Sequence, residues 1–318
     1  MGGKRRLSSS LTIEALRGSA RRRRRESLIR RAFLGAAALA IVINAAILFS
    51  LFDGVVEFFD QLLAGPGLGS LNNDTGWFPR RNLFDVKTIF MGTVIISGIA
   101  MLVAAPLGLG AALYLSEYAG RRARRILKPI LEILAGVPSV VMAYFVVSFI
   151  SPDIVQKIFS GASFYNMLGA GLGVGILISP IVASVAEDAM HAVPLSLREA
   201  SYGLGARRKG TAVRVVFPAA ISGIVAALIL GISRAIGETL IVTIAAGATG
   251  GSAFTVNPLG PGQTMTAALA SLATGSDQVK GGTAAYPSLF FVGTLLFLLT
   301  LTLNLISDRF VRKVRRRY

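Results

Sequence analysis

Six stretches of this sequence are predominantly apolar and about as long as the 20 residues that a helix needs to cross a hydrocarbon layer. They are Ala32–Phe52, Ile89–Leu115, Ile126–Ile150, Met167–Ala186, Phe217–Ala248 and Ser288–Ile306. The chain of 318 residues is 53% hydrophobic and 15% charged. A water-soluble domain carries about 25% charged residues. The expected fold class is therefore all-α integral membrane, with six transmembrane helices.

The charges set the orientation. The segments before helix 1, between helices 2 and 3, between 4 and 5, and after 6 hold 11, 5, 5 and 6 Lys/Arg. The other side holds Arg80, Arg81, Lys87, Lys157 and Lys280. By the positive-inside rule both termini are expected in the cytoplasm. The net charge of +17 is explained by topology, so nucleic acid is not an expected partner. The run "ARRRRRESLIRR" suits anionic lipid headgroups of the bilayer. Helix 1 is longer than a secretory h-region and no small-x-small cleavage site follows it, so it reads as a retained helix.

Several chemistries are missing. The chain has no cysteine and one histidine, His191. A disulfide framework, a thiolate site and a His-cluster metal site are thus excluded. No Gly-x-x-x-x-Gly-Lys-Ser/Thr phosphate loop and no Gly-x-Ser-x-Gly elbow occur. The expectation is a non-enzyme without a catalytic residue, metal or bound cofactor: a channel, a transporter part or a membrane scaffold.

The connecting segments differ in character. Residues 53–88 carry Asp53, Glu57, Asp60, Asp74 and Asp85, with Trp77 and Phe78 expected at the membrane–water interface. Residues 249–287 are rich in Gly, Pro, Ser and Thr, and within them "MTAALASLATG" fits a short helix. Gly169, Gly171, Gly173 and Gly175 repeat at spacings of four, which lets membrane helices approach closely. Pro106 and Pro138 are expected to kink helices 2 and 3.

The loop before segment 5 reads "PLSLREASYGLGARRKGTAVRVVFPAAISG". Leu197, Ala200, Ser201 and Leu204 fall on one face of a short amphipathic helix. Gly205 permits a left-handed turn. A rigid helix–turn–helix projecting from the membrane is a grip for a separate subunit.

Glu199-Ala200-Ser201, Gly205 and Val215-Val216-Phe217-Pro218 resemble the "EAA…G…I-x-LP" loop of ABC importer permeases. Ser201, Val215 and Phe217 are mild departures from that pattern. The resemblance implies a type I, MetI-like permease fold across residues 89–307. Residues 1–31 then form a basic tail, 32–88 the first helix and outer loop, and 308–318 a basic C-terminus. It also implies that Glu199, Ala200, Ser201, Gly205 and Pro218 belong to the element that docks on an ATPase. Residues 90–144, "NDTGWFPRRNLFD" and "GISRAIGETLIVTIAAGATG" are similar to permeases of phosphate-specific ABC importers, the PstC type more than the PstA type. The implied partners are a PstA-type permease, two PstB-type ATPases that hold ATP and Mg2+, and an extracytoplasmic PstS-type phosphate-binding protein.

Segment 5 contains "SRAIGETL", with Arg234 and Glu238 at a helical spacing of four. As a continuous helix running outward from Pro218, the segment would place Arg234 about 24 Å along its length, past the bilayer centre. Charges there face a bundle interior or a wet cavity. One reading is a self-neutralising structural pair, although Arg before Glu is the poorer order and burial weakens its worth. The other is an anion pathway, with Ser233 and Thr239 as supporting hydroxyls. Guanidinium matches phosphate oxygens as a fork, and a carboxylate accepts from a P–OH that sulfate lacks. Glu132 is a further pathway candidate, or a partner for Lys128. On the residues alone, a same-fold permease for molybdate, sulfate or an amino acid stays open, as does a non-transporting membrane scaffold or sensor.

Overall fold

The computed structural model describes residues 20–247, 251–274 and 284–315. The N-terminal basic run before Ala20, Lys280 and the last three residues lie outside the described residues, as does Ala248, the expected end of segment 5.

The chain divides into two units, residues 1–52 and 53–318. Helix α1 spans Ala20–Ala64. Most of its apolar side chains up to Phe52, among them Phe33, Leu34, Ile41 and Phe49, are exposed. A helix apolar all round suits lipid rather than water.

The second unit opens with a small cap. Strands β1 (Trp77–Phe78) and β2 (Leu83–Phe84) pair antiparallel, with Trp77 opposite Phe84. Trp77 also pairs with Ser252 through backbone bonds of 2.8 and 3.0 Å. Trp77 is fully buried and packs edge-on to Phe84, 5.8 Å between centroids. Phe58 stacks on Phe291 at 4.7 Å in the same cluster. Trp77 is therefore a core residue of the cap and not the interfacial aromatic expected from its position.

Helix α2 (Val86–Leu113) passes Pro106 unbroken and ends in a π-helical turn, Tyr114–Tyr118. Helix α3 (Arg121–Ala135) follows, with no buried residue. Here the structure corrects the third segment. Ile126, Ile130 and Ile133 share one face of α3, while Arg121, Arg125, Lys128 and Glu132 fall on the other. The helix stops at Gly136 and Pro138, and Pro138 marks a break rather than a kink. The span itself is α4 (Ser139–Ile158), π-helical through Val146–Val155. Helix α5 (Met167–His191) is capped by Asn166, whose side chain accepts from the Gly169 N–H at 2.6 Å. It is the most buried of the spans.

Helices α2 and α5 touch almost backbone to backbone. A Cβ on Gly175 would lie 2.7 Å from the Ala100 carbonyl oxygen, and one on Gly171 would lie 2.7 Å from Ile99 Cβ. Dispersion between closely fitted backbones drives such pairing in lipid.

Two short helices then lead back into the membrane: α6 (Leu195–Gly203) and α7 (Arg208–Ala219). Next comes α8 (Ile221–Ile236), bent 72° from α7. This is the second correction: segment 5 is not one straight helix. Pro218 lacks the N–H a continuous helix needs, and the ladder restarts at Ile221. The helix stops again at Gly237 and resumes as α9 (Leu240–Ala245). Helix α10 (Met265–Ala273) confirms the short helix expected in the Gly/Pro-rich stretch, and α11 (Ser288–Arg315) closes the chain. Among the described residues, five helices are long and apolar enough to cross a membrane, or six with the bent pair counted as one span.

Candidate functional site

The break between α8 and α9 carries the charges. Arg234 sits in the last turn of α8, and its guanidinium Nη1 lies 3.5 Å from Glu238 Oε2. The two are unequally placed: the Arg234 side chain is 47% exposed and that of Glu238 only 3%. Glu238 occupies the break itself, not the next turn of a continuous helix. Its other carboxylate oxygen lies 3.5 Å from the Ile241 N–H at the start of α9. Thr239 is half-buried, its hydroxyl 3.3 Å from the Gly237 carbonyl. Ser233 turns elsewhere: its hydroxyl lies 3.5 Å from Asn304 Oδ1 on α11. It lines an apolar cavity of about 260 Å³ between α8 and α11.

Threonines that sequence reasoning missed brace this break. Thr266 Oγ1 donates to the Glu238 carbonyl at 2.8 Å and lies 2.9 Å from Thr264 Oγ1. Thr264 is also the N-cap of α10, accepting from the Ala267 N–H. Thr93 on α2 accepts from the Met265 N–H at 3.0 Å. An interrupted helix leaves backbone groups without helical partners, and in a membrane protein these must be met by neighbours. The Thr-x-Thr pattern before an apolar run was the available signal, as an N-cap.

A second cluster lies between α3 and α5. Glu187 is fully buried, with Arg124 at 2.6 Å and Lys128 at 2.9 Å. Lys128 also bonds Asp188. Desolvation pulls the Lys128 ammonium down, but the Asp188 and Glu187 carboxylates outweigh it and hold its pKa above the ordinary value. Lys128 thus pairs with α5, and not with Glu132 as its spacing suggested.

The projecting loop has the form read from its sequence. Gly205 has φ +80°, the left-handed conformation that turns the chain between α6 and α7. Glu199, Ala200 and Gly205 are exposed, and Pro218 is half-buried at the bend. Ser201 faces inward and shares a hydrogen bond with Thr211 at 2.8 Å, closing α6 onto α7. Leu197 and Leu204 stay exposed, Leu204 at 90%.

The profile of the binding-protein-dependent transport system inner membrane component family matches residues 104–318. A probable ABC transporter permease protein, YqgH of Bacillus subtilis, is 34% identical over 236 residues, 73% of this chain and 75% of its own. The phosphate transport system permease protein PstC of Mesorhizobium japonicum is 31% identical over 298 residues, 88% of each chain. Among solved structures, a bacterial alginate ABC transporter in complex with an alginate-bound periplasmic protein superposes with TM-score 0.61 at 18% identity. That match covers 91% of this chain and 97% of the other.

Proposed function

The chain belongs to the binding-protein-dependent transport system inner membrane component family, and on that premise we propose that it is the PstC-type permease of an importer for inorganic phosphate. Relatives bearing that name align along nearly its whole length. The structural observation that carries the substrate is Arg234. A half-exposed guanidinium at the end of an apolar helix is costly unless it serves an anion or a wet path.

The roles of the two charges follow from their exposure. Arg234 offers the fork of donors that fits phosphate oxygens. Glu238, buried behind it, acts through Arg234: it holds the guanidinium and subtracts part of its charge. Phosphate then binds weakly enough to leave, as conduction requires. Thr239 stands at the same break. Ser233 serves the contact with α11.

Both termini lie in the cytoplasm in this reading, since the basic segments share that side. The partners are a PstA-type permease, two PstB-type ATPases that bind ATP and Mg2+, and a PstS-type phosphate-binding protein outside. Glu199 to Gly205 grip the ATPase. ATPase closure shifts the permease pair between outward and inward access, driven by the different affinity of ATP for the two states. The test is Arg234→Ala. We expect phosphate uptake to be lost while the ATPase still copurifies; uptake at the wild-type rate would overturn the assignment.

A further inference from the structure

We infer that Glu117 and Arg198 form a strut that transmits movement of the docking helix α6 to the membrane helix α2. The inference rests on the ATPase-docking reading of α6. It names positioning residues for transport that the loop motif does not contain as a pair.

The geometry is specific. Arg198 lies on α6, between the exposed Glu199 and the body of the protein. Its Nη1 donates to Glu117 Oε1, and its Nη2 donates to the Met190 carbonyl at 2.8 Å. The pair is nearly dry, with the side chains 12% and 2% exposed. Ser116 adds a second donor to the same Glu117 oxygen at 2.9 Å. The guanidinium thus clamps two spans at once, the end of α2 and the end of α5. A planar two-pronged donor holds direction as well as distance, which a flexible ammonium does not.

A second contact repeats the arrangement from the other arm of the loop. The Arg208 guanidinium, at the start of α7, stacks over the Tyr118 ring at 5.5 Å. Glu117 and Tyr118 are adjacent, both in the π-helical turn that ends α2. So α6 and α7 each hold one residue of that turn. Helix α2 in turn packs backbone to backbone on α5 through Gly171 and Gly175. A displacement of the docking helix therefore moves α2 and α5 as one body, rather than being absorbed in a loose loop. Buried pairs are a poor source of stability but a good source of fixed geometry.

The test uses the complete importer in proteoliposomes, reading ATP hydrolysis and phosphate uptake side by side. In Arg198→Gln we expect ATPase copurification and hydrolysis to persist. Uptake per ATP falls roughly tenfold or more, the effect of losing about 1.4 kcal/mol of coupling. Arg198→Lys keeps the charge but cannot hold both oxygens in fixed geometry, and falls between. Unchanged uptake per ATP in Arg198→Gln overturns the strut. Loss of the ATPase from that variant also overturns it, by making the pair a docking contact. If Arg198→Gln does not accumulate, Arg198→Lys decides, and a wild-type ratio there refutes the inference. A wild-type assembly that hydrolyses ATP without moving phosphate would instead refute the substrate reading on which the assay depends.

Discussion

Replacing Gly175 by alanine asks whether the α2–α5 contact is as tight as the backbone geometry states. The new Cβ would lie 2.7 Å from both the Ala100 carbonyl oxygen and Val103 Cβ. Carbon atoms prefer about 3.5–4.0 Å, so the helices must part by roughly 0.8 Å or more locally. Such a gap forfeits a quarter to a half of the dispersion well for the atoms along it. Overpacking of this kind costs about 1–3 kcal/mol. Alanine also raises helix propensity, by up to about 1 kcal/mol. The control that removes this gain is Gly98→Ala, also inside a span, where a Cβ meets nothing within 4 Å. The two variants should therefore differ by about 1–3 kcal/mol, with Gly175→Ala the less stable. At roughly 2–4 °C per kcal/mol for a chain above 150 residues, their melting temperatures in detergent should separate by several degrees. Equal melting temperatures would refute the close approach and with it the idea that α2 and α5 move together.

Three further outcomes follow from the same contacts. Gly205→Val forces a branched side chain into a left-handed turn, at a cost of about 1–2 kcal/mol; ATPase copurification should drop while the permease still accumulates. Thr266→Val removes the donor to the Glu238 carbonyl, and the loss of about 1 kcal/mol should appear as a lower melting temperature with slower uptake. Lys128 has a raised pKa, so its stabilisation is complete below the unfolded lysine value of about 10.4 and is lost only as pH rises through the higher folded value. The melting difference between wild type and Lys128→Met should therefore be the same at neutral pH and at about pH 9, and shrink only under more alkaline conditions.

The spans were legible because length and hydropathy act residue by residue, and α5 needed nothing more. The third segment misled because Ile126 to Ile150 is apolar on average, while Lys128 and Glu132 at helical spacing make its first half amphipathic. Trp77 could not be placed from its neighbours, since its burial depends on a backbone pairing with Ser252 far along the chain. Arg234 and Glu238 stood out as charges in an apolar run. Their unequal exposure did not, because it depends on where the helix stops, at Gly237, and on Thr266 in another segment. The helix–turn–helix was readable from Gly205 and its flanking helix. Its anchor was not: Glu117 and Arg198 are 81 residues apart, and only the fold joins them.

The most direct measurement is uptake of labelled phosphate at low external concentration, in cells lacking their own high-affinity system. The chain would be expressed with its partner subunits, with sulfate and molybdate as competitors. The account predicts uptake that requires this chain and that neither competitor reduces. An assembled complex that hydrolyses ATP but takes up no phosphate, or one that sulfate or molybdate blocks, would contradict it.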